Sequence, residues 1–337
     1  MSAPPPISVL LPVRDGAAYL AEAIASLGAQ TLGDFEVVAV DDGSTDESAD
    51  LLASWAAQDA RVRVLSQSAE GIVAALERAR AHARGAFLAR MDADDVSLPE
   101  RFALQLEAMD ANPSLTACGT HVRYFPEEAV QGGARRYEAW MNGSSTPEQV
   151  AREIFVECPL AHPTFFLRAD AVEAVGGYRS VGWPEDYDLI LRLWAGGGAL
   201  AKVPQVLLHW RESPGRLSRT DPVYALDAFR ACKVHYLRET LLSDGRGSVI
   251  WGAGPVGKAL ARALLDAGTE VKAFVEVAPR KIGQTVYGAP VVDTAAGLSL
   301  RGSLHLGAVG QVGARETILG LLRGAGMEEL KDFVAVA

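Results

Sequence analysis

Cysteine is scarce: 337 residues hold three, Cys118, Cys158 and Cys232, far apart and with no Cys-x-x-Cys pair. Their spacing suits a reducing compartment, with each thiol acting as a small buried hydrophobe. Long apolar runs are missing too. No stretch approaches the ~20 residues of a membrane span, and the opening MSAPPPISVLLPVRDG has no basic region leading into an apolar one. The expected location is the cytoplasm, with peripheral attachment at the inner face of a membrane left open. Positive charge is in deficit, Lys+Arg 32 against Asp+Glu 42, for a net charge of −10. That argues against a nucleic-acid partner, which would need a basic stripe. A phosphate-bearing substrate is not excluded, because a metal ion or a few local arginines can receive it. What is present is ordinary: 49% hydrophobic and 22% charged residues, enough for a sizeable core. The length favours two domains over one.

The first part of the chain alternates short apolar strands with helical spacing. ISVLLP (7–12), FEVVAV (35–40), RVRVLS (61–66) and AFLARM (86–91) read as strands. Helical segments lie between them, as in AAYLAEAIASLGAQ (17–30) with Leu20, Ile24 and Leu27 on one face. Such alternation predicts an α/β fold, a mainly parallel sheet covered on both faces. Ligands of such sheets bind beyond the carboxyl ends of the strands. A further helix is expected near 100–110, a strand at LTACGTHVRYF, and a loop excursion over 126–146. WPEDYDLILRLWAGGG predicts a helix whose first turn carries Pro184 and acids, a favourable arrangement for the helix dipole. After a helical stretch at 222–242, SDGRGS is the linker candidate. The expected domains are therefore 1–243 and 244–337.

Two acidic turns follow strands: DDGSTD, with Asp41 and Asp42, and DADD, with Asp92, Asp94 and Asp95. Hard divalent cations prefer carboxylate oxygens and often bridge to substrate phosphates. An Asp-x-Asp pair can hold one such ion and leave positions for a diphosphate, where the metal stabilises charge on the departing oxygen. A solvated or helix-capping loop would show the same spacing.

Four segments occur in order: SVLLPVRDG, DFEVVAVDDGSTD, ARGAFLARMDADDVSLPERF and GWPEDYDLILRL. Together they resemble glycosyltransferase family 2, inverting enzymes of GT-A fold that use nucleotide-diphosphate sugars, over roughly residues 6–220. The resemblance implies a UDP-sugar-type donor, a Mn2+ or Mg2+ ion, and a saccharide, lipid-linked or other glycoconjugate acceptor. It places Pro12, Asp41 and Asp42 at the nucleotide, with Asp42 nearest the base. Asp94 would ligate the metal, and Asp92 would contact ribose or metal. Asp95 would orient its neighbours or cap the helix that follows. Asp186 would be the catalytic base, with Glu185 assisting or binding acceptor; the alternative for both is a charge satisfying the helix dipole. Asp188, deeper in that helix, reads as structural. In HWRESPGRLSR (209–219), Arg211 would cover the diphosphate, with Arg216 and Arg219 as further candidates. His162 and His209 are weaker candidates, His209 as an added metal contact. Asp15, Glu70 and Glu77 stand where relatives often carry Asn, which leaves the nucleotide and sugar open.

The second domain carries its own motif. WGAGPVGKAL places Gly252, Gly254 and Gly257 after a strand and at the start of a helix. Glu276 follows about 20 residues on, as in the dinucleotide fingerprint. Ala259 replaces the Ser/Thr of a phosphate-binding P-loop, so an NTPase is rejected. The segment resembles small Rossmann-like domains appended to sugar-modifying enzymes. It is expected to bind a nucleotide or dinucleotide, or to serve as a scaffold or homo-oligomer contact; Lys258 and Arg280 read equally well as solvated charges. Two rival functions remain at this point: a non-catalytic nucleotide-sugar sensor, and an NAD(P)-dependent oxidoreductase. The intact Glu185–Asp186 pair disfavours the first and the lack of a hydride-transfer constellation the second.

Overall fold

The computed structural model describes residues 4–213, 215–311 and 313–337. The chain divides into two compact units. One comprises Met1–Val150, Pro159–Val181 and Asp188–Thr220; the other comprises Ala151–Cys158, Gly182–Tyr187 and Asp221–Ala337.

The first unit is built on eight strands: β1 (Ile7–Val13), β2 (Phe35–Asp42), β3 (Val62–Gln67), β4 (Phe87–Arg90), β5 (Val96–Ser97), β6 (Leu115–Phe125), β7 (Phe166–Arg168) and β8 (Ala199–Arg211). They lie in the order β3-β2-β1-β4-β7-β6-β8-β5. The first four are mutually parallel, as their continuous apolar sequences require when both faces are covered. Strand β7 runs antiparallel to β4 and β6, and β5 runs antiparallel to β8. Because β6 and β8 are parallel to each other and both flank reversals of β4, the carboxyl ends of β1, β2, β4, β6 and β8 share one edge.

Helix Ala17–Gly28 covers one face through Leu20, Ala23 and Leu27, against Val9, Leu11, Val37 and Ala39 of the sheet. Helix Arg101–Ala111 adds Phe102, whose ring meets Phe35 edge-on at 5.4 Å. The excursion expected over 126–146 is instead ordered, with a helix at Gly132–Met141. Tyr137 and Trp140 pack on the core and Met141 is buried, so an apolar face outweighs two glycines at the helix start. The buried Lys202 fixes the end of this excursion, donating to the carbonyls of Met141 and Pro159 and to Ser144 Oγ.

At the opposite edge, Ser8 of β1 donates to Glu36 of β2 at 2.6 Å. Glu36 also accepts from the Arg84 backbone and Nε, both at 2.8 Å, ahead of β4. Gly85 is required there, since a Cβ would lie 2.6 Å from the Ser8 nitrogen.

The second unit holds β9 (Ser248–Trp251), β10 (Val271–Val275), β11 (Thr285–Val286), β12 (Ala289–Val292), β13 (Leu304–Gly307) and β14 (Phe333–Ala335). Their order is β11-β12-β10-β9-β13-β14, with all but the β11 edge strand parallel. Leaving out β11, this is the doubly wound order 3-2-1-4-5, whose ligand crevice lies where the order reverses, between β9 and β13. Val249, Trp251, Val275, Leu322 and Phe333 form its core. Helix Leu226–Glu239 groups with this unit rather than with the preceding chain. So does the segment 151–158, which Lys233 ties to the residue after the last strand by donating to the carbonyls of Val156 and Val336. The division by contacts thus falls at 220/221, before the polar stretch at 243–247.

Glu36 provides a stability test. Burial acts to raise its carboxyl, and hydrogen bonds from Arg84 and Ser8 more than reverse this, leaving it below its ordinary 4.5. A depressed carboxylate contributes stability above its unfolded value and loses it as pH falls through the folded one. Glu36→Gln is expected to cost about 1–3 kcal/mol at neutral pH, measured by urea denaturation. The gap from wild type should close as pH falls below 4.5; a gap independent of pH would contradict the assignment.

Candidate active site

The shared carboxyl edge of the first unit collects the acidic turns. Asp41 and Asp42 end β2 and are both buried. Asp41 accepts from the Ser44 amide at 3.1 Å, closing the turn. Gly43, at φ +71°, must be glycine: a Cβ would meet the Ala69 nitrogen at 2.8 Å. Asp42 accepts from Gln67 Nε2 at 2.7 Å and from the amides of Glu70 and Gly71 at 2.8 and 2.9 Å. It therefore anchors the loop after β3. Pro12 lies beside Val40 in the β1–β2 register. The β1 and β2 loops are laced together, Asp15 accepting from the Thr45 amide at 2.7 Å and Gly16 donating to Ser48 at 2.9 Å.

Beyond β4, the carboxylates of Asp92, Asp94 and Asp95 lie within 4.8 Å of one another. Asp92 pairs with Arg90, which is 3% exposed. Asp95 is fully enclosed. One of its oxygens accepts from the Arg211 amide at 2.7 Å, and the other, Oδ2, is buried without a hydrogen-bond partner among the described residues. Burial, then the charge on Asp92, pushes the Asp94 carboxyl up to about 6, while Arg216 and Arg90 pull the other way. Burial, then the charges on Asp92 and Asp94, push Asp95 well above the carboxylate range. Asp94 and Asp95, which hold negative charge poorly on their own, stand with Asp92 as a set of carboxylate oxygens that fits a hard divalent cation. His209 is not part of this group; its ring tilts against Phe125 at 5.8 Å.

Arg211 ends β8 and is held on every side. Its Nε donates to the Asp94 carbonyl at 2.6 Å, Nη2 pairs with Glu22, and the guanidinium lies between the Tyr19 and Phe125 rings at 4.2 Å from each. It braces the acidic loop from behind. Arg216 lies over Trp210 at 4.5 Å and pairs with Glu212; Arg219 pairs with Glu212 at 2.5 Å. Pro214, within 209–219, lies outside the described residues. His162 is buried against the Tyr178 hydroxyl at 3.1 Å, and burial with nearby Arg90 keeps it neutral. Glu77 holds Arg80 and the Tyr178 amide, a structural role.

Helix Glu185–Ala195 opens with the acidic pair, and the first three residues of the helix group with the second unit. Glu185 is buried, both its oxygens facing the Tyr224 hydroxyl at 2.9 and 2.7 Å. Asp186 is less enclosed and accepts from the Tyr187 amide at 2.7 Å. Asp188 is paired with Arg192 inside the first unit.

In the second unit, Gly252 bends the chain at φ +108° and Gly254 precedes helix Pro255–Asp266. At Gly257 a Cβ would stand 1.9 Å from the Gly252 carbonyl oxygen, so the helix packs directly on the turn. Glu276 accepts from the Ala253 amide at 3.0 Å and from Lys281; its carboxylate thus ties the turn itself. Lys258 and Arg280 are exposed.

Arg90 and Arg101 are the groups that reading of the sequence passed over. They bracket the acidic loop in ARMDADDVSLPER, and an arginine closing an apolar strand was the available signal of a buried counter-ion. Arg101 is fully buried, donating to the Arg90 carbonyl at 2.7 Å, and burial lowers it to about 9.

Comparison with known proteins agrees with this geometry. The profile of Glycosyl transferase family 2 matches residues 8–176. The amylovoran biosynthesis glycosyltransferase AmsE of Erwinia amylovora is 33% identical over 193 residues, covering 57% of this chain and 70% of that protein. The structure of S. aureus TarS 1–349 with UDP-GlcNAc aligns with TM-score 0.56 at 16% identity, over 69% of this chain. This chain spans 66% of that TarS chain, slightly under two thirds. The mannosyltransferase PcManGT of Pyrobaculum calidifontis, in complex with GDP-Man and Mn2+, aligns with TM-score 0.50 at 18% identity, over 97% of this chain and 82% of that one. At such identities these two structures speak for the fold alone, that of a GT-A sheet. With its ordered motifs, its acidic edge and the match over half its length, the chain belongs to glycosyl transferase family 2.

Proposed function

We propose that this glycosyltransferase moves a sugar from a nucleoside-diphosphate donor, a UDP-sugar by preference, to a hydroxyl of a saccharide, lipid-linked or other glycoconjugate acceptor. The transfer inverts the anomeric centre and requires Mn2+ or Mg2+. The observation that carries this is the aspartate trio at the carboxyl edge, with its orphaned buried oxygen. TarS with UDP-GlcNAc and PcManGT with GDP-Man and Mn2+ share the fold and support the donor class.

In this reading Asp94 is the principal metal ligand, with Asp92 beside it. An ion held there would supply positive charge to offset that of the donor diphosphate and of the departing oxygen. Pro12, Asp41 and Asp42 line the nucleoside side. Asp42, by holding the amides of Glu70 and Gly71, also sets the shape of that wall. Arg211 keeps the acidic loop in register through its contacts with Asp94 and Asp95. Asp186 takes the proton of the acceptor hydroxyl as it attacks, a role suited to a carboxylate at a helix start. Glu185, fixed by Tyr224, holds that helix start in place. The transferase domain spans 1–243. The appended domain, 244–337, offers the turn of Gly252, Gly254 and Gly257 with Glu276 to a nucleotide or acts as a scaffold.

Two experiments test this. Calorimetric titration of UDP and GDP should show binding that depends on Mn2+, with UDP favoured. Asp94→Asn should weaken the metal-dependent part at least ~10-fold, the scale of losing a charged ligand; binding indifferent to both metal and Asp94 would remove the chemical basis of the assignment. Asp186→Asn should slow turnover by ~10²–10⁴-fold while donor affinity stays within about threefold, followed as nucleoside diphosphate released in the presence of acceptor saccharides. Undiminished turnover would exclude Asp186 as the base.

A further inference from the structure

Alternate residues around Asp186 are held by side chains and backbone distant in sequence. Glu185, 2% exposed, has its two oxygens 2.9 and 2.7 Å from the Tyr224 hydroxyl, which donates to it. Tyr187, fully buried, donates to the Ile154 carbonyl at 2.6 Å, and its ring centre lies 5.8 Å from that of Phe229. Trp183 lies with its ring centre 5.3 Å from that of His235. Asp186 falls between two of these anchored residues and is half-buried, Oδ1 accepting from the Tyr187 amide. All these partners belong, like residues 182–187 themselves, to the second unit. Tyr224 is in turn set in place by its local sequence. The Asp221 side chain accepts from the Val223 amide at 2.9 Å, Pro222 fixes the short turn, and helix Leu226–Glu239 begins two residues beyond Tyr224. Lys233 anchors that helix on the carbonyls of Val156 and Val336.

We propose that Tyr224 is a positioning residue for the transfer step: through its hydrogen bond to Glu185 it fixes the helix start, and with it the place from which Asp186 meets the acceptor hydroxyl. This deepens the reading of Asp186 as the base and rests on it. A buried carboxylate that loses a donor carries a desolvation cost. Without the Tyr224 hydroxyl, Glu185 is drawn toward water, and Asp186, the next residue, moves with it. A displacement of about 1 Å at a reacting group can cost roughly 10²-fold in rate. The residues assigned to the donor and the metal belong to the first unit and make none of these contacts. The effect of Tyr224 therefore falls on the chemical step and not on donor binding. In this assignment the helix that leads into the second domain serves the reaction as well as the fold.

The test is a double-mutant cycle on the full chain. Wild type, Tyr224→Phe, Glu185→Gln and the double variant are compared by nucleoside diphosphate released from UDP-glucose, UDP-galactose, UDP-N-acetylglucosamine or GDP-mannose, with Mn2+ and acceptor saccharides. Tyr224→Phe keeps the ring and removes only the hydroxyl. It should lower kcat at least about tenfold, the scale of a hydrogen bond to a charged group, while donor KM and calorimetric affinity for UDP with Mn2+ stay within about threefold. Whatever Glu185→Gln costs by itself, adding Tyr224→Phe to it should cost less than about twofold more, because the neutral amide no longer needs the donor. Wild-type kcat in Tyr224→Phe, an equal loss in both backgrounds, or a donor KM that rises in step with the loss overturns the assignment. Turnover absent from wild type with all four donors, or undiminished in Asp186→Asn, is a different result: it defeats the reading of Asp186 as the base, and this assignment with it.

Discussion

Carboxylates concentrated at one strand end can stay there only if something beneath them supplies positive charge and a fixed scaffold. Arg101 does much of this from inside the core. Fully buried, it donates to the Arg90 carbonyl and to Gln105, and Gln105 in turn donates to the carbonyls of Cys118 and Thr164, each at 2.8 Å. One hydrogen-bonded chain therefore joins β4, helix Arg101–Ala111, β6 and the turn before β7. Arg90 rides on that chain and carries Asp92. The acidic loop is less an exposed turn than the outer end of a polar seam through an apolar core, which is why its geometry is set before any ligand arrives.

From the other side the loop is closed by aromatic rings and arginines. Arg211 lies between Tyr19 and Phe125, and Arg216 lies over Trp210, whose ring stacks on Tyr124 at 5.0 Å. These rings come from the ends of β6 and β8 and from the first helix, elements distant in sequence that one sheet order brings to one edge. Guanidinium groups held flat against rings keep their charge while losing mobility. The edge combines a concentrated negative centre with positive groups at fixed places around it, which is what recognition of a metal-bound diphosphate asks of a protein surface.

Much of this was legible in the sequence, and the rest was hidden for physical reasons. Apolar runs such as FEVVAV and their spacing from helices revealed the parallel block, because burial on both faces leaves little room for polar residues. The acidic turns declared their place because a parallel sheet puts every such turn on one edge. Periodicity could not show that β7 and β5 run antiparallel, since direction depends on the connection and not on side-chain pattern. The helix Gly132–Met141 was concealed by its glycines and charges, its order coming from Tyr137, Trp140 and the reach of Lys202. Arg211 reads from sequence as a free phosphate ligand; only three-dimensional contacts show it tied to Asp94 and Glu22. In the second unit the glycine pattern foretold the tight turn, but not that Glu276 and Lys281 would close on it.

The central claim is that the carboxyl edge of the first unit holds a divalent cation between the acidic loop and a nucleoside diphosphate. Crystals grown with Mn2+ and UDP, with diffraction recorded at the manganese edge, test it most directly. The account predicts one strong anomalous peak bridging the carboxylates of the acidic loop and the UDP phosphates. UDP bound at that edge with no anomalous density beside Asp94, or manganese found elsewhere while the loop keeps its present contacts, would contradict it.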